Sequence, residues 1–459
     1  MSKPEAWISD WNPEDDKFWE TKGKFIALRN LIFSILAEHL GFSIWLMWSI
    51  VVTKLPAAGF HYTTDQLFQL VALPGLVGSL IRFPYTFAVT TFGGRNWTMF
   101  SASVLFIPAL ALAYFSTQPD TPFGLMLLVA ATAGLGGGNF ASSMANISFF
   151  YPDRIKGWAL GINAAGGNIG VSTVQLLVPI LMGFGIINLY QATPVAGVYL
   201  QNAGLMWLLP LAIAVFCAWR YMNNLSSAKS SFRDQLVITK RKHTWVMSWI
   251  YIGTFGSFIG YSAAFPLLIK TQFPAVTVTV AFLGPLVGSL SRPLGGLLAD
   301  KIGGAKVTFW NFVAMGIATL GVMYYVDIKS FPGFLTMFLV LFVATGIGNG
   351  STYRMIPSIF REEKLRNAGP GSEAKAAALR AGVLEAAAAL GFIGAIGACG
   401  GYLIPRGFGA SIAMTGGPHL ALAVFLTFYV TCIALTWWYY LRRNLFAQLA
   451  PTNLAQARV

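Results

Sequence analysis

A helical membrane protein of about twelve spans, built as two related halves of six, is predicted by three features of the sequence. The 459 residues are 56% hydrophobic and only 10% charged, against roughly 25% charged residues in an average soluble domain. Apolar stretches long enough for the roughly 20 residues that a hydrocarbon core requires follow one another along the whole chain. The third feature is a repeat: Leu76-Val-Gly-Ser-Leu-Ile-Arg82 returns 210 residues later as Leu286-Val-Gly-Ser-Leu-Ser-Arg292. In both copies a glycine pair follows at the same offset, Gly93-Gly94 and Gly303-Gly304.

The spans are expected at about 25–50, 66–90, 97–117, 124–148, 156–181, 203–221, 243–268, 275–299, 307–327, 332–358, 376–404 and 412–440. Residues 1–24 form an acidic, polar leading segment, with no basic stretch and cleavage site of the signal-peptide kind. Residues 25–222 make the first six-helix bundle, 223–242 a polar linker, 243–441 the second bundle and 442–459 a tail. An even number of spans puts both termini on one side. The loops on that side carry Arg95, Arg154, Lys156, the run Arg220 to Lys242, Lys301, Lys306 and the run Arg361 to Arg380; the opposite loops hold only Lys54, Lys270, Lys329 and Arg406. This asymmetry predicts that both termini are cytoplasmic. The net charge of +14 is therefore spread over topology-setting loops near lipid headgroups, which argues against a nucleic-acid surface. Cys217, Cys399 and Cys432 lie in apolar surroundings, so neither a disulfide framework nor a metal site is expected.

The repeat extends beyond the arginines. Gly134-Leu-Gly-Gly-Gly138 in the fourth span is echoed by Gly346-Ile-Gly-Asn-Gly350 in the tenth, and Gly161 and Gly170 by Gly382 and Gly391. Paired features in the same order predict two parallel repeats related about an axis normal to the membrane. Gly134, Gly136, Gly137, Gly138, Gly346, Gly348 and Gly350 are candidates for close helix packing or for gating movements. They do not match a phosphate-binding loop, so ATP hydrolysis and any cofactor are not expected.

Arginine within apolar helix is expensive and marks a functional site by default. Its planar fork of donors suits an oxyanion. Arg82 and Arg292, one per half, thus point to a small monovalent anion; the bland alternative is that each pairs with a buried carboxylate. Polar residues gather beside the glycines, among them Asn139, Ser142, Ser143, Asn146, Asn163 and Asn168. Phe140, Tyr251 and Phe255 are candidates to wall a dry cavity. Glu38, beside His39 in the first span, is a candidate for proton coupling, with Glu385 in the eleventh a comparable acid. Arg354 is expected to reach the interface as a surface anchor.

Three stretches carry a resemblance. Gly295-Gly-Leu-Leu-Ala-Asp300-Lys-Ile-Gly-Gly304 resembles the loop motif of the major facilitator superfamily, with a degenerate counterpart ending Phe92-Gly-Gly-Arg95. Ala133-Gly-Leu-Gly-Gly-Gly-Asn-Phe-Ala-Ser-Ser-Met-Ala-Asn-Ile-Ser-Phe149 and Thr345-Gly-Ile-Gly-Asn-Gly-Ser-Thr-Tyr353 are similar to the signatures of its nitrate/nitrite porter family. The resemblance implies the major facilitator fold and alternating access, with nitrate held between Arg82 and Arg292. It further implies that Asn168, in Ala165-Gly-Gly-Asn-Ile-Gly170, hydrogen-bonds the anion. Phe140 and Phe255 would flank it, and Tyr251 would lie near it.

The expected function is secondary transport of nitrate, and of nitrite, with membrane lipid and protons as the other partners. Ala37-Glu38-His39 is similar to the first span of members proposed to run as proton-nitrate symporters, which tips the expectation toward symport over nitrate/nitrite antiport. An anion channel or membrane nutrient sensor is the alternative of another class. No metal cluster or nucleophile triad supports an enzyme, and no feature sets an oligomeric state.

Overall fold

The computed structural model describes residues 6–183, 197–226, 236–369 and 371–442. The expected linker residues 227–235, the tail from 443 onward and residues 1–5 of the leading segment lie outside the described residues. The fold is almost wholly helical. Among the described residues, eleven stretches are long and apolar enough to cross a membrane: α1 (Asp16–Val51), α2 (Thr64–Phe92), α3 (Gly94–Phe115), α4 (Phe123–Phe150), α5 (Asp153–Met182), α6 (Asn202–Tyr221), α7 (Lys242–Gln272), α9 (Gly304–Asp327), α10 (Phe331–Arg366), α11 (Ser372–Thr415) and α12 (His419–Leu441). The expected eighth span is present as α8 (Leu283–Ile302). It is not among the eleven because Arg292, Asp300, two prolines and four glycines within it dilute its apolar character.

Chain contacts divide the molecule into two compact units. Unit 1 holds Met1–Ser230, Ile259–Leu286 and Gly401–Pro418; unit 2 holds Ser231–Phe258, Val287–Gly400 and His419–Val459.

In unit 1 the leading segment is folded down rather than merely polar. Strand β1 (Trp7–Ile8) pairs in parallel with β2 (Asn224–Leu225), just after α6. Trp11 and Trp19 join Leu31, Phe150 and Tyr151 in a small apolar core, and the Trp11 indole donates to the Phe149 carbonyl at 3.1 Å. The Glu14 carboxylate accepts from the Asp153 amide at 2.8 Å and Asp16 pairs with Arg154, so acids meet the first turn of α5. Far from these contacts, Asp65 at the start of α2 pairs with Arg406 at 2.8 Å. Arg406 was expected in a loop and lies inside α11. The Gln175 amide donates to the Ser262 carbonyl at 2.6 Å and to Ser49 at 3.0 Å.

In unit 2, α9 packs along α10 and α10 along α11. The charged stretch 361–380, expected as a loop able to hold a short surface helix, is mostly an extension of these helices, because its Glu, Lys, Arg and Ala residues are strong helix formers. Glu385 takes a two-pronged bond from Arg241, at 3.0 and 2.8 Å, and a third contact from Lys364 at 2.7 Å. Glu385 is thus the shared ion-pair partner of two basic side chains. The same carboxylate holds the Arg241 guanidinium above its ordinary range. Arg354 is half exposed and pairs with Asp300 at 2.6 Å.

The repeat is visible in the backbone. Eleven residues after each arginine the chain turns at a glycine with positive φ, 87° at Gly93 and 94° at Gly303, and the next helix begins at the second glycine of the pair. Only glycine adopts this geometry without strain, which explains the first glycine of each pair; a Cβ at the second would collide with Asn146 at Gly94 and with Met355 at Gly304.

Candidate functional site

Arg82 is fully buried on α2. Its Nε–H donates to the Gly137 carbonyl at 2.9 Å, and its guanidinium carbon lies 5.1 Å from the Trp45 ring centre and 4.8 Å from that of Phe140. The carbonyl is available because the glycine run Ala133–Gly138 leaves α geometry for a tighter 3-10 turn before the helix resumes at Asn139. Phe140 packs edge-on against Phe42, and the Trp45 indole donates to the Pro74 carbonyl at 2.7 Å. Of the predicted residues in unit 1, the structure therefore brings Arg82 and Phe140 together. Asn168 is buried on α5, and its amide oxygen has no hydrogen-bond partner among the described residues.

In unit 2, Arg292 lies with its guanidinium carbon 5.4 Å from the Tyr353 ring centre. Tyr251 stacks on Phe255 at 5.4 Å, with 18° between the planes, and lies 6.1 Å from Tyr353. The Tyr251 hydroxyl donates to the Asn349 side chain at 2.8 Å. Phe255 sits in a π-helical turn, Ile252–Gly256, that widens α7, a device common at functional sites. Arg292, Tyr251 and Phe255 thus share one network whose bridge is Tyr353.

The glycines admit close neighbours. A Cβ at Gly136 would collide with the Gly41 carbonyl, at Gly138 with the Tyr85 ring, and at Gly134 with Val77. In the tenth span a Cβ at Gly346 would strike the Gly288 carbonyl, at Gly348 the Asn311 amide, and at Gly350 the Arg292 carbonyl. Each run lets two helices approach at backbone distance beside its arginine.

Glu38 is buried on α1. One carboxylate oxygen accepts from Ser143 at 2.5 Å and from Asn163 at 2.7 Å, and Ser143 also meets Ser34 at 2.8 Å. The neighbouring His39 ring contacts the Gly166 carbonyl at 3.0 Å. A carboxyl among hydroxyl and amide groups on three helices can exchange a proton without losing all its partners.

Sequence reasoning missed Trp45, Asn349 and Tyr353 as arginine-site residues. Tyr353 and Asn349 stood within a quoted signature, so position could have flagged them. Trp45 carried no local signal.

The Major Facilitator Superfamily model matches residues 39–369. The chain is 46% identical to the nitrate/nitrite transporter NarU of Salmonella typhimurium, covering 95% of this chain and 96% of that one. It is 45% identical to NarU of Escherichia coli, with the same coverage. It is 35% identical to the probable nitrate/nitrite antiporter NarK2 of Thermus thermophilus, covering 96% of this chain and 97% of that one. Among solved structures, a bacterial homologue of the human lysosomal transporter Spinster matches with a TM-score of 0.62 at 15% identity, over 94% of this chain and 97% of that one. A D-xylose-proton symporter matches at 0.60 and 15%, over 90% and 97%. A many-span helical fold, that family match and near-complete alignment to NarU lead to one conclusion: the chain belongs to the Major Facilitator Superfamily, as a transporter related to the bacterial nitrate/nitrite porters.

Proposed function

We propose that this protein carries nitrate and nitrite across the bacterial cytoplasmic membrane by secondary transport, with both termini in the cytoplasm. The observation that carries this reading is a buried arginine on α2 and another at the matching position of α8, in a chain 46% identical to NarU along nearly its whole length. Two six-helix halves alternate access to the anion, joined through residues 223–242. Arg82 and Arg292 neutralise and grip it with their planar forks; Phe140 and Phe255 cover its flat faces. Tyr251 and Asn168 supply hydrogen-bonding groups that add no charge. The glycine runs let the helices slide as the halves rock.

Proton-coupled symport is the favoured mode, and its support is the buried Glu38 with Ser143 and Asn163 around it. Exchange of nitrate for nitrite is the second reading, favoured by the likeness to a probable antiporter. Nitrate uptake into proteoliposomes separates them. Symport gives uptake without internal nitrite, stimulated by external acid, and Glu38→Gln abolishes the acid stimulation while leaving nitrate binding intact. A strict requirement for internal nitrite with indifference to pH would contradict symport and favour exchange.

A further inference from the structure

We propose that Trp45 is a positioning residue for Arg82, and that Gly78, one turn before the arginine, exists to admit this aromatic platform beneath the guanidinium. This rests on the transport reading above and adds a residue to it.

Gly78 and Arg82 are four apart on α2 and so lie on the same face of the helix. A Cβ at Gly78 would collide with the Trp45 indole nitrogen, and one at Gly137 would lie 2.9 Å from the Trp45 ring and 2.6 Å from the Gly78 Cα. Trp45 therefore fills a slot cut by two glycines, one on α2 and one on α4. Its position is fixed from a third direction by the hydrogen bond from its indole N–H to the Pro74 carbonyl at 2.7 Å. The ring is fully buried and presents itself to the guanidinium at 5.1 Å, within the range where a ring attracts a cation.

The second half repeats the slot. A Cβ at Gly288, four residues before Arg292, would lie 2.8 Å from the ring of Phe258. Phe258 comes 213 residues after Trp45, close to the 210 that separate the arginines. A glycine at this place thus meets an aromatic side chain from the first helix of its own half in both copies. Packing alone explains a large apolar neighbour; it does not explain an anchored indole lying against the guanidinium. With Nε–H tied to the Gly137 carbonyl and two rings fixing its surroundings, the Arg82 fork is held ready for an anion, which lowers the ordering cost of binding.

The test is nitrate uptake by reconstituted wild type, Trp45→Phe and Trp45→Leu, each checked for a single monodisperse peak. Loss of the ring in Trp45→Leu is expected to raise KM about ten-fold, or about 1.4 kcal/mol, with the maximal rate within about two-fold. Trp45→Phe, which retains an aromatic face, is expected to restore most of the affinity. Should Trp45→Leu fail to fold, stepwise fluorination of tryptophan at position 45 preserves shape while draining the ring of negative charge, and KM should climb with each fluorine. An unchanged KM in folded Trp45→Leu, a fall in maximal rate alone, or a flat fluorination series would overturn the inference. A wild type that takes up no nitrate would overturn the transport reading and this inference with it.

Discussion

The two arginines come from one repeated motif and are held differently. Arg82 is gripped by a backbone carbonyl and two ring faces, all supplied by α1 and α4. Arg292 lies over Tyr353, which neighbours Tyr251, itself hydrogen-bonded to Asn349. The difference begins in the glycine runs. Gly134–Gly138 tightens into a 3-10 turn and presents the Gly137 carbonyl, whereas Gly346–Gly350 stays within the unbroken helix Phe331–Arg366. In that helix Asn349 replaces a glycine, and its amide is what reaches Tyr251. A repeat therefore conserves where an arginine is placed while leaving each half to choose its holder, by backbone in one case and by side chains in the other.

The comparison breaks first at the glycines. Gly136→Ala and Gly346→Ala each drive a Cβ into a carbonyl oxygen of a facing helix. Overpacking of this kind costs about 1–3 kcal/mol, occasionally more, so both variants should unfold at clearly lower temperature in detergent. Gly161→Ala and Gly394→Ala meet nothing within 4 Å and should melt like wild type. Equal losses in all four would mean that close helix approach is not what the runs provide.

A smaller effect sharpens the contrast. Tyr251→Phe keeps the stack on Phe255 but removes the hydroxyl that donates to Asn349. A net hydrogen bond contributes about 1 kcal/mol, so nitrate KM should rise about five-fold. Wild-type KM in this variant would show that Arg292 is held without the tyrosine network.

Much of this is legible in the sequence alone. Arg82, Arg292 and Glu38 stand out because charge in an apolar helix is costly wherever it lies, and the glycine pairs because their spacing repeats. Trp45 was not legible, since it is one of 14 tryptophans in a class that uses them freely as interface anchors. Its role depends on a contact across 37 residues, made by two glycines on other helices. The leading segment hid for a similar reason: Trp11 and Trp19 find their apolar partners at Phe150 and Tyr151, far along the chain, and show no helical period of their own. The stretch 361–380 reads as a charged loop able to form a short surface helix, and its helix propensity instead extends two long helices.

Nitrate binding to purified Arg82→Lys and Arg292→Lys, each shown to be folded, tests the central claim most directly. A lysine retains the charge at each site and loses the planar fork. Two arginines that jointly grip the anion predict that each variant binds nitrate at least about 100-fold more weakly than wild type, or about 2.7 kcal/mol. Wild-type affinity in either folded variant would remove that arginine from the site and contradict the paired-arginine account.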